Sequence, residues 1–195
     1  MWIASLKFLR KFCHKKAFSR QRLTSKAPAG SGELNVKKRF KMVAVGGTFD
    51  EFHKGHRALL TKAFEVGNRV LIGLCTDEFA AKLMKPHIVA AYEERLEDLK
   101  KFLKSLNVLD RADIVPLNDP YGPTLSSGCV EAIVVSRETE PRAYEINEKR
   151  KAKGLQPLSI VVIEMVPAEN HVSISTTRIR RREIDREGHL VRSQF

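Results

Sequence analysis

No apolar run in this 195-residue sequence approaches the ~20 residues that a membrane-spanning helix needs. Cysteine is scarce and scattered: Cys13, Cys75 and Cys129 form no CxxC pair, so neither a zinc ribbon nor a redox pair is indicated. An odd count without a disulfide pattern fits a reducing compartment, and a cytoplasmic location is the expectation. Cys75 stands in an apolar run, where packing is its expected role. No internal repeat is evident. What is plentiful is apolar residue, at 43%, which is enough for a core and argues against wholesale disorder.

Acidic residues are missing from one region only. Residues 1–41 hold twelve of the 35 Lys and Arg but one of the 23 acids, Glu33, for a charge of +11 out of +12. The basic balance that suggests a nucleic-acid partner therefore belongs to an extension, and the body is nearly neutral. Near its start, Trp2, Ile3, Leu6, Phe8, Leu9 and Phe12 mix with lysines and arginines, a pattern open to an amphipathic surface helix or a transit peptide. The plainer readings are a disordered extension ending in the 27–32 APAGSG linker, or a start of translation at Met42. The expected division is a basic extension over 1–41 and one domain over 42–195.

From Met42 the pattern alternates. Strands are predicted over Met42–Val45, Val70–Cys75, Asp113–Leu117, Ala132–Val135 and Ser159–Val166. Helices are predicted over Gly55–Val66, Tyr92–Leu106 and Pro141–Lys153, with a last one starting near Ser175, a natural N-cap. Strands alternating with helices imply a single α/β domain, a Rossmann-like parallel sheet flanked by helices. Ligands of such sheets bind beyond the carboxyl ends of the strands, in the loops where the motifs below fall.

The first motif is the stretch 46–56, GGTFDEFHKGH, between the first strand and helix. Gly46 and Gly47 let the backbone turn and approach a ligand. Thr48 offers a hydroxyl, and His53 and His56 sit one helical turn apart at a helix start, where free N–H groups and the dipole suit anions. Two surface histidines, or half of a metal site, are the alternatives for HxxH alone, but no third ligand stands at metal spacing. The combined string resembles the signature of the HxGH nucleotidyltransferase superfamily. That resemblance implies a loop holding the phosphates of a nucleoside triphosphate, with Gly47, Thr48 and Phe49 near ATP and His53 and His56 at the phosphates. His56 matches the histidine proposed to stabilise the transition state.

The second motif is Ile174-Ser175-Thr176-Thr177-Arg178-Ile179-Arg180. Alone it reads as an N-cap followed by a basic helix. Beside the first motif it resembles the superfamily's ISSTxxR, with Thr176 in place of the middle serine. The resemblance puts Ser175, Thr176 and Thr177 at ATP, with Arg178 or Arg180 in the arginine position and the spacing favouring Arg180.

Lys85-Pro86, the 92–96 YEERL string, the 119–123 DPYGP loop and the 134–139 VVSRET string extend the match. Over residues 42–188 the chain is similar to the archaeal and eukaryotic type of phosphopantetheine adenylyltransferase. That likeness implies AMP transfer from ATP to 4′-phosphopantetheine, giving dephospho-coenzyme A and pyrophosphate, with Mg²⁺ accompanying ATP. It assigns Lys85 a bridge between acceptor phosphate and ATP, with Lys82 the alternative. Thr48 and Arg95 complete the candidate acceptor contacts, and Arg95 reads equally as a helix-face residue paired with a nearby acid. His14, His87, His171 and His189 have no partner motif and are assigned no role. The rival expectations are another member of the superfamily, with a nicotinamide mononucleotide, flavin or alcohol-phosphate acceptor, or a nucleic-acid binder using the basic extension. Oligomeric state is not legible.

Overall fold

The computed structural model describes residues 38–191; the basic segment up to residue 37 lies outside them. Five strands alternate with five α-helices. They are β1 (Phe40–Gly47), α1 (Lys54–Val66), β2 (Gly67–Cys75), α2 (Asp77–Lys82), α3 (Tyr92–Ser105), β3 (Ala112–Leu117), β4 (Ala132–Ser136), α4 (Glu140–Ala152), β5 (Ser159–Ile163) and α5 (Thr176–Arg180). Short 3₁₀ turns at Leu109–Arg111 and Gly122–Leu125 precede β3 and β4.

All strand pairs are parallel, in the order β3-β2-β1-β4-β5. Both faces are covered, so successive residues of a strand feed opposite cores. On one face Val43, Val45, Val70, Ile72 and Leu74 pack with Leu60 and Phe64 of α1 and Leu99 and Leu103 of α3. On the other, Ala44, Leu71, Ile133 and Val135 meet Ala143 and Ile146 of α4. Near-continuous apolar strands are the sequence counterpart of that double burial.

The strand order reverses between β1 and β4, and there the ladder is short. It pairs only Val43 with Ala132 and Ala44 with Ile133, while each strand runs on for three more residues. The two carboxyl ends thus part and open a crevice, the usual ligand position in such a sheet.

Several boundaries differ from the sequence expectations. β1 begins at Phe40, inside the segment assigned to the extension, because Phe40 packs on the core and the Lys41 amide donates to Glu131 at 2.7 Å. β5 ends at Ile163, and the chain then leaves the sheet toward the second motif. α2 has no counterpart among the predicted helices; it is one short turn-and-a-half capped by the Thr76 hydroxyl, too brief for a clear period.

Candidate active site

The 46–56 loop is held in a costly shape. Phe49 and Glu51 both have left-handed backbone (φ 51° and 47°), uncommon for non-glycine residues and worst for bulky ones. Burial over-determines it: Phe49 is 1% exposed and Asp50 0%. The Asp50 carbonyl accepts from the Thr176 hydroxyl at 3.0 Å, tying this loop to the second motif. Asp50 Oδ1 accepts from the Ala90 amide at 3.0 Å and from Arg180 at 2.8 Å. Burial alone would raise the Asp50 pKa; the Arg180 and Ala90 hydrogen bonds, with the charge of Arg180, outweigh it and hold the carboxyl below its ordinary value.

His53 is the N-cap of α1. Its Nδ1 accepts from the Gly55 amide at 3.1 Å, while His56 Nδ1 accepts from the His53 amide at 3.4 Å, a capping box built from two imidazoles. With each Nδ1 occupied as acceptor, the proton of each neutral ring lies on Nε2, leaving two N–H donors. The rings stack at 3.7 Å between centroids, and His56 also meets the Phe49 ring edge-on at 5.3 Å. Burial, then the cations Arg57 and Lys85, lowers the His53 pKa to about 4. Burial and its His53 neighbour push His56 well below the ordinary histidine value. Both are therefore neutral at pH 7. The glycine between them leaves room for the ring: a Cβ on Gly55 would lie 3.0 Å from His53 Cε1 and 3.1 Å from its Nδ1, so the imidazole would have to give by a few tenths of an ångström.

One cavity of about 620 Å³ opens over the parted ends of β1 and β4. Gly47, Thr48, Phe49, His53 and His56 line it from the first motif, and Ser175, Thr176 and Thr177 from the second. Lys85 lines it from the segment after α2, and burial lowers its pKa from the usual lysine value. Ser175 caps α5, its Oγ accepting from the Arg178 amide at 3.4 Å. Glu138 and Glu164 are carboxylates on the β4–β5 side of the same wall.

The three candidate arginines stand elsewhere. Arg178 is engaged by Glu183, Asn170 and the carbonyls of Val172 and Ser173. Arg180 faces Asp50 and Glu51 and lines a separate hollow of about 220 Å³ behind the Phe49 loop. Arg95 is 2% exposed; it donates to the carbonyls of Thr48, Cys75 and Ala90 and to the Asp77 carboxylate, at 2.7–2.9 Å. Its guanidinium thereby joins the 46–56 loop, the end of β2, the start of α2 and the segment leading into α3. Lys82 does not reach the cavity wall, and Lys85 does. Neither Asp50 nor His87, which has no partner motif, carries a role legible in the sequence: a buried aspartate inside a loop leaves no periodic signal, and only its place within the 46–56 string marks it.

A cavity that offers neutral imidazole donors and hydroxyls to an anion, at the reversal point of a 3-2-1-4-5 parallel sheet, belongs to the nucleotidyltransferase class. Residues 44–182 match the cytidylyltransferase-like family. A phosphopantetheine adenylyltransferase of Methanothermobacter thermautotrophicus is 48% identical over 159 residues, covering 80% of this chain and 93% of its own. One from Methanopyrus kandleri is 49% identical over 142 residues, covering 73% and 90%. A crystal structure of an Archaeoglobus fulgidus protein of unknown function superposes with a TM-score of 0.56 at 34% identity, covering 63% of this chain and 97% of that one. The chain belongs to the cytidylyltransferase-like family and, within it, to the phosphopantetheine adenylyltransferases.

Proposed function

We propose that the chain transfers AMP from ATP to 4′-phosphopantetheine in the cytoplasm, producing dephospho-coenzyme A and pyrophosphate. The observation that carries this reading is that both motifs and Lys85 line one cavity. The relatives that share most of its length bear the name of that activity.

The chemistry asks little of the protein in covalent terms. An oxygen of the acceptor phosphate attacks the α-phosphorus of ATP, one P–O bond forms, the α–β bridge breaks, and pyrophosphate departs. The nucleophile is already an anion, so no general base is needed, and catalysis rests on positioning and charge stabilisation. His56 and His53 supply Nε2–H donors to phosphate oxygens, the form their low pKa values favour. Lys85 supplies the cation between the two phosphates, Ser175, Thr176 and Thr177 the hydroxyls, and Gly47, Thr48 and Phe49 the close backbone wall. Arg180 acts through Asp50, and Arg95 through the Thr48 carbonyl, by holding the loop in shape.

Mg²⁺ fits this site as a companion of ATP. Among the described residues no three His, Cys, Asp or Glu side chains gather as a ligand set, so phosphates and water would carry it. Bound there, it neutralises triphosphate charge.

The deciding assay offers ATP with 4′-phosphopantetheine, nicotinamide mononucleotide, FMN or an alcohol phosphate in turn. Pyrophosphate should appear with the first; release only with another acceptor overturns the reading. His56→Ala should lower kcat by ~10²–10³ while the fold persists.

A further inference from the structure

The chain between α2 and α3 alternates between cover and solvent. Met84 and Ile88 are each 89% exposed, whereas the His87 side chain between them is only 9% exposed. An imidazole that covered normally has hydrogen bonds for its nitrogens. Among the described residues His87 has none at Nδ1 or Nε2, and Asp50 Oδ2, also buried, has none either. These unmatched groups face each other: Nε2 lies 3.6 Å from Oδ2, roughly 0.7 Å beyond an ordinary N–H···O bond. The partner oxygen, Oδ1, already holds the far end of the same segment through the Ala90 amide at 3.0 Å. Asp50 thus grips the segment at Ala90 and stops just short of gripping it at His87, two residues from Lys85.

We propose that His87 is a positioning residue for Lys85: with phosphates bound, residues 85–87 settle inward, His87 Nε2–H donates to Asp50 Oδ2, and that bond holds the Lys85 ammonium in the cavity. The inference rests on the role given to Lys85 in the proposed function. Two polar groups that are desolvated and unmatched both gain when the gap closes. Burial, with Lys85 and Arg180 nearby, keeps His87 neutral against the opposing pull of Asp50 and Glu51, and the facing carboxylate selects the Nε2–H tautomer. Asp50 is suited to the task because Arg180 and the Thr176 hydroxyl fix it from the second motif, so the same residue that shapes the ATP loop seats the lysine.

Kinetics with ATP and 4′-phosphopantetheine on His87→Ala, His87→Gln, Lys85→Ala and the His87→Ala/Lys85→Ala double variant test this. His87→Ala should lower kcat/KM for the acceptor by roughly 10–100-fold, as expected for losing a hydrogen bond to a charged group. ATP binding should hold, and His87→Gln, whose amide reaches as far as Nε2, should recover most of the loss. The double variant should be no slower than Lys85→Ala alone, because His87 acts through the lysine. A His87 effect that persists in full on top of Lys85→Ala, or that glutamine does not relieve, overturns the proposal. An undiminished rate for Lys85→Ala would refute the lysine's assigned role and this inference with it, whereas an inactive wild type would refute only the choice of acceptor. Should His87→Ala unfold, amide exchange in the wild type decides: the two substrates together must slow exchange across residues 83–91, and unchanged exchange overturns the idea.

Discussion

Two imidazoles 3.7 Å apart would be a poor place for positive charge, and this pair is built to avoid it. Each Nδ1 is spent on the helix cap, so each Nε2–H is aimed by backbone and cannot switch tautomer without breaking the cap. The same arrangement has a stability signature. His53 binds a proton near pH 6.5 when unfolded and only near 4 when folded. Between those values the unfolded state holds more protons, so stability falls as pH drops and is fully present above pH 6.5. Between pH 7 and pH 5 His53 should account for about 2 kcal/mol of that loss. His53→Asn keeps an N-cap acceptor but cannot titrate, so urea unfolding at the two pH values should show a smaller drop for the variant. Equal drops would sink the claim.

At the scale of elements, the short β1–β4 ladder and the start of α1 set the chemistry together. The parted strands make the crevice, and the helix start fills one wall with donors. Gly55 is where these demands meet. An alanine at this half-buried first-turn position favours helix by up to ~1 kcal/mol, yet its Cβ would press on the His53 ring. Gly55→Ala should therefore leave stability within about 1 kcal/mol while kcat falls roughly tenfold or more, because a few tenths of an ångström misalign a phosphate donor. Thermal unfolding beside steady-state rates checks this; a stability loss with kcat intact would contradict it. Arg95 shows the same logic from inside the protein: one buried fork spans three elements, which is why its helix position alone did not distinguish a surface residue from a ligand.

Over the whole molecule, the described cavity residues run from Gly46 to Thr177. A chain starting with Met before Lys38 should keep its AMP-transfer rate, whereas one starting at Met42 loses Phe40 and the Lys41–Glu131 contact. Half-burial of one phenylalanine predicts a cost of about 1–2 kcal/mol for the shorter chain. Urea midpoints of the two truncated proteins would show it, and identical midpoints would return β1 to a start at Met42. No helix among the described residues is long and apolar enough to cross a membrane.

The alternation of apolar runs and helical periods already determined the parallel sheet, and the 46–56 and 174–180 strings already resembled the superfamily's two motifs. Those are local properties: burial on both faces demands continuous apolar strands, and tight phosphate turns demand glycines and hydroxyls at short spacing. Tertiary structure alone decided that the two loops share a cavity, that Arg180 faces Asp50, that Arg95 braces carbonyls, and that His87 stands over a buried carboxylate. Apart from the Arg95–Ala90 bond, these contacts join residues 20 to 130 positions apart, and the side-chain periods of helices and strands carry no information over such distances.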